Sequence, residues 1–383
     1  MAALPPQLSD AFFESRQPAA VLKHAVLRNY LTPWAAKVGY SSTEHRVAIA
    51  DCYAGAGRYA DGSPGSPAII ADLAGQPGLQ QRQVEAYFIE RDEANYAQLQ
   101  TVLEEDAVGI KWQAWQGKVE EHLGDLLELT RPVPLFLFLD PFGHGLSLDR
   151  IVAAIDSRRD CPATEALIRI DAAAVYRTRG TLHGKDFKGK EATLQRLDAT
   201  AGGTWWRDED DPELVGEQYL EWFMGGLLRR ACRQSGYGGW TVDVRRKAGQ
   251  IPVYYLLFLT RHPDGMAVFN ESLSLATASW RRSMLELTMD DSLISGDLLD
   301  DEFKQQERSL EAEWHARLRT NLLELLSEKQ SFNVMREFSR IFAGTMGEAR
   351  QKHLRPVLKE LYAEKLTTSD SKGDLYAKVI VRA

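Results

Sequence analysis

Val47–Gly57 reads VAIADCYAGAG: four apolar residues run into Asp51, an aromatic follows at Tyr53, and Gly55 and Gly57 stand as G-x-G. A strand buried on both faces of a parallel sheet is written as such a continuous apolar run. Glycines just past its end let the backbone turn sharply and let a ligand come close, because no Cβ stands in the way. The stretch therefore predicts an α/β sheet with a nucleotide- or nucleoside-type site at the tip of its first strand.

Working outward, VLKHAVLRNYLTPWAAKVG places Val21, Ala25, Leu27, Leu31 and Trp34 on one stripe, the pattern of a helix covering the sheet, with Lys23 and His24 read as surface, capping or core positions. Residues 1–20 read as a poorly ordered lead. After the glycines, DGSPGSP is a loop punctuated by Pro and Gly, and a helix starts near Ser66-Pro67. The inserted loop is either plain surface or a flap over the glycine turn. Val84 to Ile89 is a second strand ended by Glu90, where an acid can accept from ribose hydroxyls; Asp92 would cap the next helix. A third strand spans Ile110 to Trp115, and Gln116 falls where an adenine edge would be met. The fourth, LFLFL after Pro134, stops at Asp140-Pro141-Phe142-Gly143. In an open parallel sheet that is the ligand-facing end.

Thr164 to Asp171 is a fifth strand. An insertion from about 172 to 239 follows, opening with a segment read as a basic loop carrying Arg177, Arg179, Lys185 and Lys188, which either contacts the phosphates of a nucleic acid or is simply solvated. Residues 240–260 read as a β-hairpin whose apolar second arm enters the sheet, and MAVFNESLSLATASW as a further helix. The acidic segment from about Asp290 to Glu302 is the expected linker. A helix then runs from about Phe303 to Glu328, and Thr345 with Glu348 forms a T-x-x-E capping box. Helix, helix and a ribbon turning at Lys372-Gly373-Asp374 give the plan of a winged helix, with Arg350, Lys352 and Arg355 placed to meet nucleic acid and Lys372 and Lys378 to meet phosphates. The expected domains are residues 1–290, a linker and helix start at 291–310, and a winged helix at 311–383.

Composition limits what the chain can be. With 383 residues, 44% hydrophobic and 26% charged, it has the make-up of a soluble globular protein of one large domain plus a small one, or of two medium ones. A net charge of −8 argues against a protein that coats nucleic acid, so contacts to a polymer must come from local patches. The N-terminus has no secretory pattern, and Cys52, Cys161 and Cys232 have neither metal spacing nor a disulfide framework, which suits a cytoplasmic location.

The motif order favours one fold. A dinucleotide site wants G-x-G-x-x-G, but Ala60 stands three after Gly57; a P-loop is absent. An acid four residues before G-x-G, an acid after strand two, a motif after strand four and a terminal hairpin describe a Rossmann-like class I methyltransferase sheet. KHAVLRNYLTPW, DCYAGAGRYADGSPGSPAI, FIERD and FLDPFG moreover resemble the three-Cys-motif partner protein family over most of residues 20–270. That resemblance implies a methyltransferase-like fold and a protein partner carrying the three-cysteine motif. The turn at Asp140–Phe142 is similar to the [DNS]-PP-[YFW] motif of enzymes that methylate exocyclic amines, with one proline where that motif has two. By that analogy Asp140, Pro141 and Phe142 form the catalytic turn: Asp140 accepts from the amine and Phe142 stacks on the base. S-adenosylmethionine is the expected cofactor, with Asp51, Tyr53, Ala54, Gly55, Gly57, Glu90, Gln116 and Asp140 around it. Two functions stay open: a methyltransferase acting on nucleic acid with a partner, or a catalytically inactive relative that binds nucleic acid or assembles with another protein.

Overall fold

The computed structural model describes residues 18–247, 249–288 and 296–383. The chain forms two compact units, one built on Leu31–His262 and the other on Val21–Tyr30 together with Pro263–Ala383. The division falls at 262/263, not near 290 as expected. Helix α10 (Pro263–Thr288) belongs to the second unit because its Asn270 amide donates to the Ala349 carbonyl and accepts from the Gly347 N–H.

The first unit carries a seven-stranded sheet with strands β1 (Arg46–Asp51), β2 (Gln83–Glu90), β3 (Lys111–Gln116), β4 (Leu135–Leu139), β5 (Thr164–Asp171), β6 (Gly238–Val244) and β7 (Tyr254–Thr260). Their order is β3-β2-β1-β4-β5-β7-β6. β1 to β5 pair in parallel, and β7 lies antiparallel between β5 and β6. The hairpin read at 240–260 is thus in place, its apolar arm inserted. This is the Rossmann-like methyltransferase sheet. Its central strands are written as apolar runs because both faces are covered: Val47 to Ala50, Leu135 to Leu139 and Tyr254 to Leu259 are all buried. Trp34, on α1 (Pro18–Tyr40), packs its ring against Phe136 of β4, while α4 (Val119–Leu129) connects β3 to β4 and α5 (Leu148–Asp156) connects β4 to β5.

The insertion is helical, with α6 (Ala172–His183), α7 (Lys190–Ala201), α8 (Trp205–Asp208) and α9 (Glu217–Ser235). The segment read as a basic loop is helix as far as His183. Asp171 starts that helix by accepting from the Ala174 N–H at 2.7 Å. Arg179 is buried, hydrogen-bonded to Asp210 at 2.7 Å and to the Leu214 and Asp211 carbonyls, with its guanidinium over the Tyr219 ring. It staples the insertion to itself and is not available to a polymer.

In the second unit, α11 (Gly296–Glu328), β8 (Ser331–Asn333), α12 (Phe338–Ile341), α13 (Gln351–Ala363) and β9 (Val379–Val381) enclose a core of Trp314, Leu318, Leu322, Phe338, Phe342, Leu354, Leu358 and Leu361. β8 and β9 pair antiparallel. Gly296 to Glu302, expected as linker, begins α11 instead; residues 290–295 of that linker and residues 1–17 of the lead lie outside the described residues. Thr345 and Glu348 do not cap a helix. Buried Thr345 donates to the Phe342 carbonyl, and α13 starts where His353 Nδ1 accepts from the Arg350 N–H. Lys23, read as a solvated position, is buried, and His24 is buried as one of its two expected readings, a core histidine, requires.

Candidate functional site

The glycine turn after β1 is tied to the tips of both neighbouring strands. The Cys52 N–H donates to the Phe138 carbonyl of β4, and the Ala54 N–H to the Ile89 carbonyl of β2. Gly55 and Gly57 have φ of +64° and +84°, the left-handed region that an L side chain enters only with strain. Gly57 is also confined, since a Cβ there would meet Val102 at 3.0 Å. Above Gly55 there is open space within 4 Å. The loop from Arg58 to Gly65 folds back on the turn, with the Gly65 N–H donating to the Gly57 carbonyl and Arg58 bridging to Asp106. It is a clasp on the glycine turn, and α2 (Ser66–Ala71) begins where Ser66-Pro67 indicated.

Two acids frame the turn. Fully buried Asp51 accepts from the Tyr53 N–H. Buried Glu90 accepts from the Gly55 N–H at 2.8 Å through one oxygen and from the Asp92 N–H at 2.7 Å through the other. A carboxylate offers about four lone-pair positions, so both oxygens retain capacity for a further donor. Asp92 accepts from the Asn95 N–H and so caps α3 (Glu93–Asp106). Gln116 pairs with Glu90 in the sheet register and is exposed at its edge, and the Gly117 N–H donates to the Glu90 carbonyl. Burial, with Asp51 next to it, pushes the Cys52 thiol far up, so it is no nucleophile at neutral pH.

Tyr53 links this turn to the one after β4, its hydroxyl accepting from the Leu146 N–H at 3.1 Å. Burial pushes its phenol up and keeps it neutral. The backbone of that second turn also closes on itself: a Cβ at Gly145 would lie 2.4 Å from Pro141. Phe142 stands 58% exposed.

Arg169 of β5 was not read from the sequence as a site residue. Buried, it reaches Asp140 at 3.5 Å and Asp171 at 3.4 Å, donates to the Pro141 carbonyl at 3.2 Å, and lies over the Phe142 and Tyr254 rings. A single Arg inside an apolar strand, TEALIRID, was the available signal. His144 was missed as well. Its Nδ1 lies 3.2 Å from Thr200 Oγ1 and its Nε2 3.2 Å from Thr178 Oγ1. Thr200 gives its own proton to the Arg196 carbonyl, so the threonine oxygen accepts from Nδ1–H, and Nε2 accepts from Thr178. Burial holds the imidazole below its ordinary pKa, with Asp171 opposing and Arg196 and Arg177 assisting.

The basic positions read as nucleic-acid contacts divide. Arg177, Lys185 and Lys188 are exposed. In the second unit Lys352 is paired with Glu311 at 3.0 Å, and Arg355 donates to the Ser371 and Gly373 carbonyls, pinning the turn before β9. Arg350 is half-buried at the start of α13, and Lys378 is held by Asp370 at 2.7 Å. Lys352, Arg355 and Lys378 therefore serve the unit's own structure, and Lys372 is exposed.

Asp51, the glycine turn, Glu90, Gln116 and the Asp140–Phe142 turn thus converge on the carboxyl ends of β1 to β4, the ligand side of a Rossmann-like methyltransferase sheet. No protein-family model and no curated protein matches this chain in sequence. Solved structures do share part of its shape. Cofactor-bound Rv0187 from MTB is 17% identical, with 68% of this chain and 100% of that one covered and a TM-score of 0.30. The O-methyltransferase TomG from Streptomyces achromogenes, in complex with SAM, is 10% identical over 67% and 100%, with a TM-score of 0.28. The cyclopropane synthase MmaA2 from Mycobacterium tuberculosis is 14% identical over 67% and 75%, with a TM-score of 0.28. At such scores the fold assignment rests on strand order, not on these superpositions. No described helix is long and apolar enough to cross a membrane.

Proposed function

We propose that this chain is an S-adenosylmethionine-dependent methyltransferase acting on nucleic acid in the cytoplasm, together with a protein partner of the three-Cys-motif type. The observation that supports the cofactor is the union of the open space above Gly55 with Glu90, whose two oxygens each keep capacity for a donor. Asp51 and the Ala54–Gly57 backbone would hold the amino-acid end, Glu90 the ribose hydroxyls, and Gln116 the adenine edge. S-adenosylmethionine, when bound, supplies a methyl group on a cationic sulfur that leaves as a neutral thioether. The chain itself would orient the acceptor against that methyl and exclude water. Tyr53 would hold the β4 turn in register with the glycine turn, and Phe142 would offer a ring for stacking. Exposed Lys185 and Lys188 would reach phosphates, and β8, α12, α13 and β9 would act as a winged helix.

A second reading is favoured by Arg169. The analogy to amine methylation needs the Asp140 carboxylate and the Pro141 carbonyl as acceptors, and here both face the Arg169 guanidinium. That arrangement suits a chain that keeps the cofactor pocket and serves as a catalytically inactive binding or assembly partner. Calorimetric titration with S-adenosylmethionine and S-adenosylhomocysteine tests the common part. Micromolar binding, lost in Asp51→Ala, supports the cofactor; no binding by folded protein sinks it. Transfer of labelled methyl to mixed nucleic acid, with Asp140→Ala as control, then separates the two readings.

A further inference from the structure

Beside the β4 turn, between α6 and α7, lies a cleft of about 460 Å³ lined by Phe142, His144, Arg177, Thr181, Thr193 and Arg196. That volume falls within the range of pockets for small ligands. Arg177 and Arg196 are exposed, and neither guanidinium has an acidic partner among the described residues. Two other arginines of the insertion contrast with them: Arg179 is tied to Asp210, and Arg207 to Glu191 and Asp198. Two uncompensated cations therefore flank one cleft. The threonine hydroxyls beside them donate to helix carbonyls, Thr181 to that of Arg177 and Thr193 to that of Gly189, and leave their oxygens able to accept. The third feature is the Phe142 ring, 58% exposed at the edge of the same cleft, where a buried Phe would be ordinary. Arg169 lies over that ring at 5.3 Å.

We propose that this cleft receives one unstacked nucleotide of a single-stranded nucleic acid, its phosphate between Arg177 and Arg196 and its base on Phe142. Planar guanidinium groups match phosphate oxygens in pairs. Aromatic side chains beside a cationic groove are how single strands are held, one base to a ring. A duplex would have to give up a base to fill a cleft of this size, whereas a single strand offers one already. Neutral His144, buttressed by Thr178 and Thr200, walls the cleft without adding a third charge. The proposal deepens the methyltransferase reading, since it places the acceptor beside the β4 tip, yet it can stand or fall by itself.

Fluorescence anisotropy with a labelled short single-stranded DNA tests it, using the full chain, alongside calorimetric titration with S-adenosylmethionine on the same variants. Arg177→Ala and Arg196→Ala should each weaken the oligonucleotide by about tenfold or more, the loss expected for a hydrogen bond to a charged group. Phe142→Ala should weaken it by about five- to a hundredfold, and Phe142→Trp should restore it. Cofactor affinity should not move in Arg177→Ala or Arg196→Ala. Oligonucleotide binding that these three alanine variants leave within twofold, or a preference for the matching duplex, overturns the cleft assignment. Cleft-dependent oligonucleotide binding with no cofactor binding keeps the cleft and removes the cofactor reading.

Discussion

Arg169 shows how one residue can govern a site without touching its ligand. Its guanidinium is buried between Asp140 and Asp171, and its remaining faces meet the Pro141 carbonyl and two aromatic rings. Removing one member of a buried ion pair leaves an uncompensated charge, which costs about 3–5 kcal/mol. Arg169→Met should therefore lower stability by about that amount, read as the urea midpoint at constant slope. Arg169→Met/Asp171→Asn should recover part of the loss, because asparagine still caps α6 and removes one of the stranded charges. A single variant costing under about 1 kcal/mol would mean that the pair does not hold the β4 tip. His353 gives a pH dependence of definite sign. Burial lowers its pKa to about 4 from the ordinary 6.5, with Lys352 and Arg350 adding to the effect and Glu311 opposing it. The native state thus binds fewer protons than the unfolded state between those values. Its contribution is present above pH 6.5 and is lost as pH falls toward 4, by up to about 3 kcal/mol. Amide-exchange protection of α13 should fall over that window, and His353→Gln should flatten the fall. A wild-type profile already flat from pH 6.5 to 4 would contradict the burial of a neutral imidazole.

Turns, not strands, separate the elements that could be read from sequence from those that could not. β1 and β4 were legible because strands covered on both faces are written as unbroken apolar runs, and Gly55, Gly57 and Pro141 mark where they end. α6 was misread as loop because its polar face carries Arg and Thr, and its buried Arg179 is satisfied by Asp210, 31 residues away. Nothing local announces such a partner. The start of α11 was misread for a similar reason. Its Asp300 pairs with Arg282 of α10, so an acidic residue that looked like part of a linker is helix with a long-range counter-charge. The candidate site was legible at Asp51, the glycine turn, Glu90 and Asp140, and illegible at Arg169 and His144, whose partners come from other elements. The two turns also predict opposite substitution effects. A Cβ at Gly145 would stand 2.4 Å from Pro141, so Gly145→Ala must displace the β4 turn and break the Tyr53–Leu146 bond. Gly55→Ala meets nothing within 4 Å and suffers only its positive φ, about 1–2 kcal/mol. Under the proposed function that open space is where the cofactor lies. Gly55→Ala should therefore keep a cooperative thermal transition and lose cofactor affinity, while Gly145→Ala should lower the transition itself. Unchanged cofactor affinity in folded Gly55→Ala would mean that the space above Gly55 is not a ligand cradle.

At the scale of the whole molecule, the second unit is not a contiguous tail. Residues Val21–Tyr30 belong with Pro263–Ala383 although more than two hundred positions separate them in sequence. Tyr30 is fully buried and sets its ring edge-on to Phe269 at 5.5 Å, and Ser272 donates to the Asn29 carbonyl at 2.9 Å. Burying one large apolar side chain is worth about 1.5–3 kcal/mol, and an edge-to-face aromatic pair adds about 0.5–1.5 kcal/mol. Against the marginal stability of a small domain, about 5–15 kcal/mol, that loss is large. A chain cut to residues 263–383 exposes Phe269, leaves Ser272 with only its own helix carbonyl of Val268, and should unfold at lower urea than the same unit in the full protein. A peptide of residues 18–40 added in trans should raise its midpoint in a concentration-dependent way, as any ligand of the native state does. Tyr30→Ala in the full chain should lower the protection of α10 amides by about 3 kcal/mol or more, the cost of emptying a buried aromatic site. If the 263–383 chain is as stable as the intact unit and indifferent to the peptide, the segment at Val21–Tyr30 does not complete its core, and the boundary at 262/263 marks an independently folding tail.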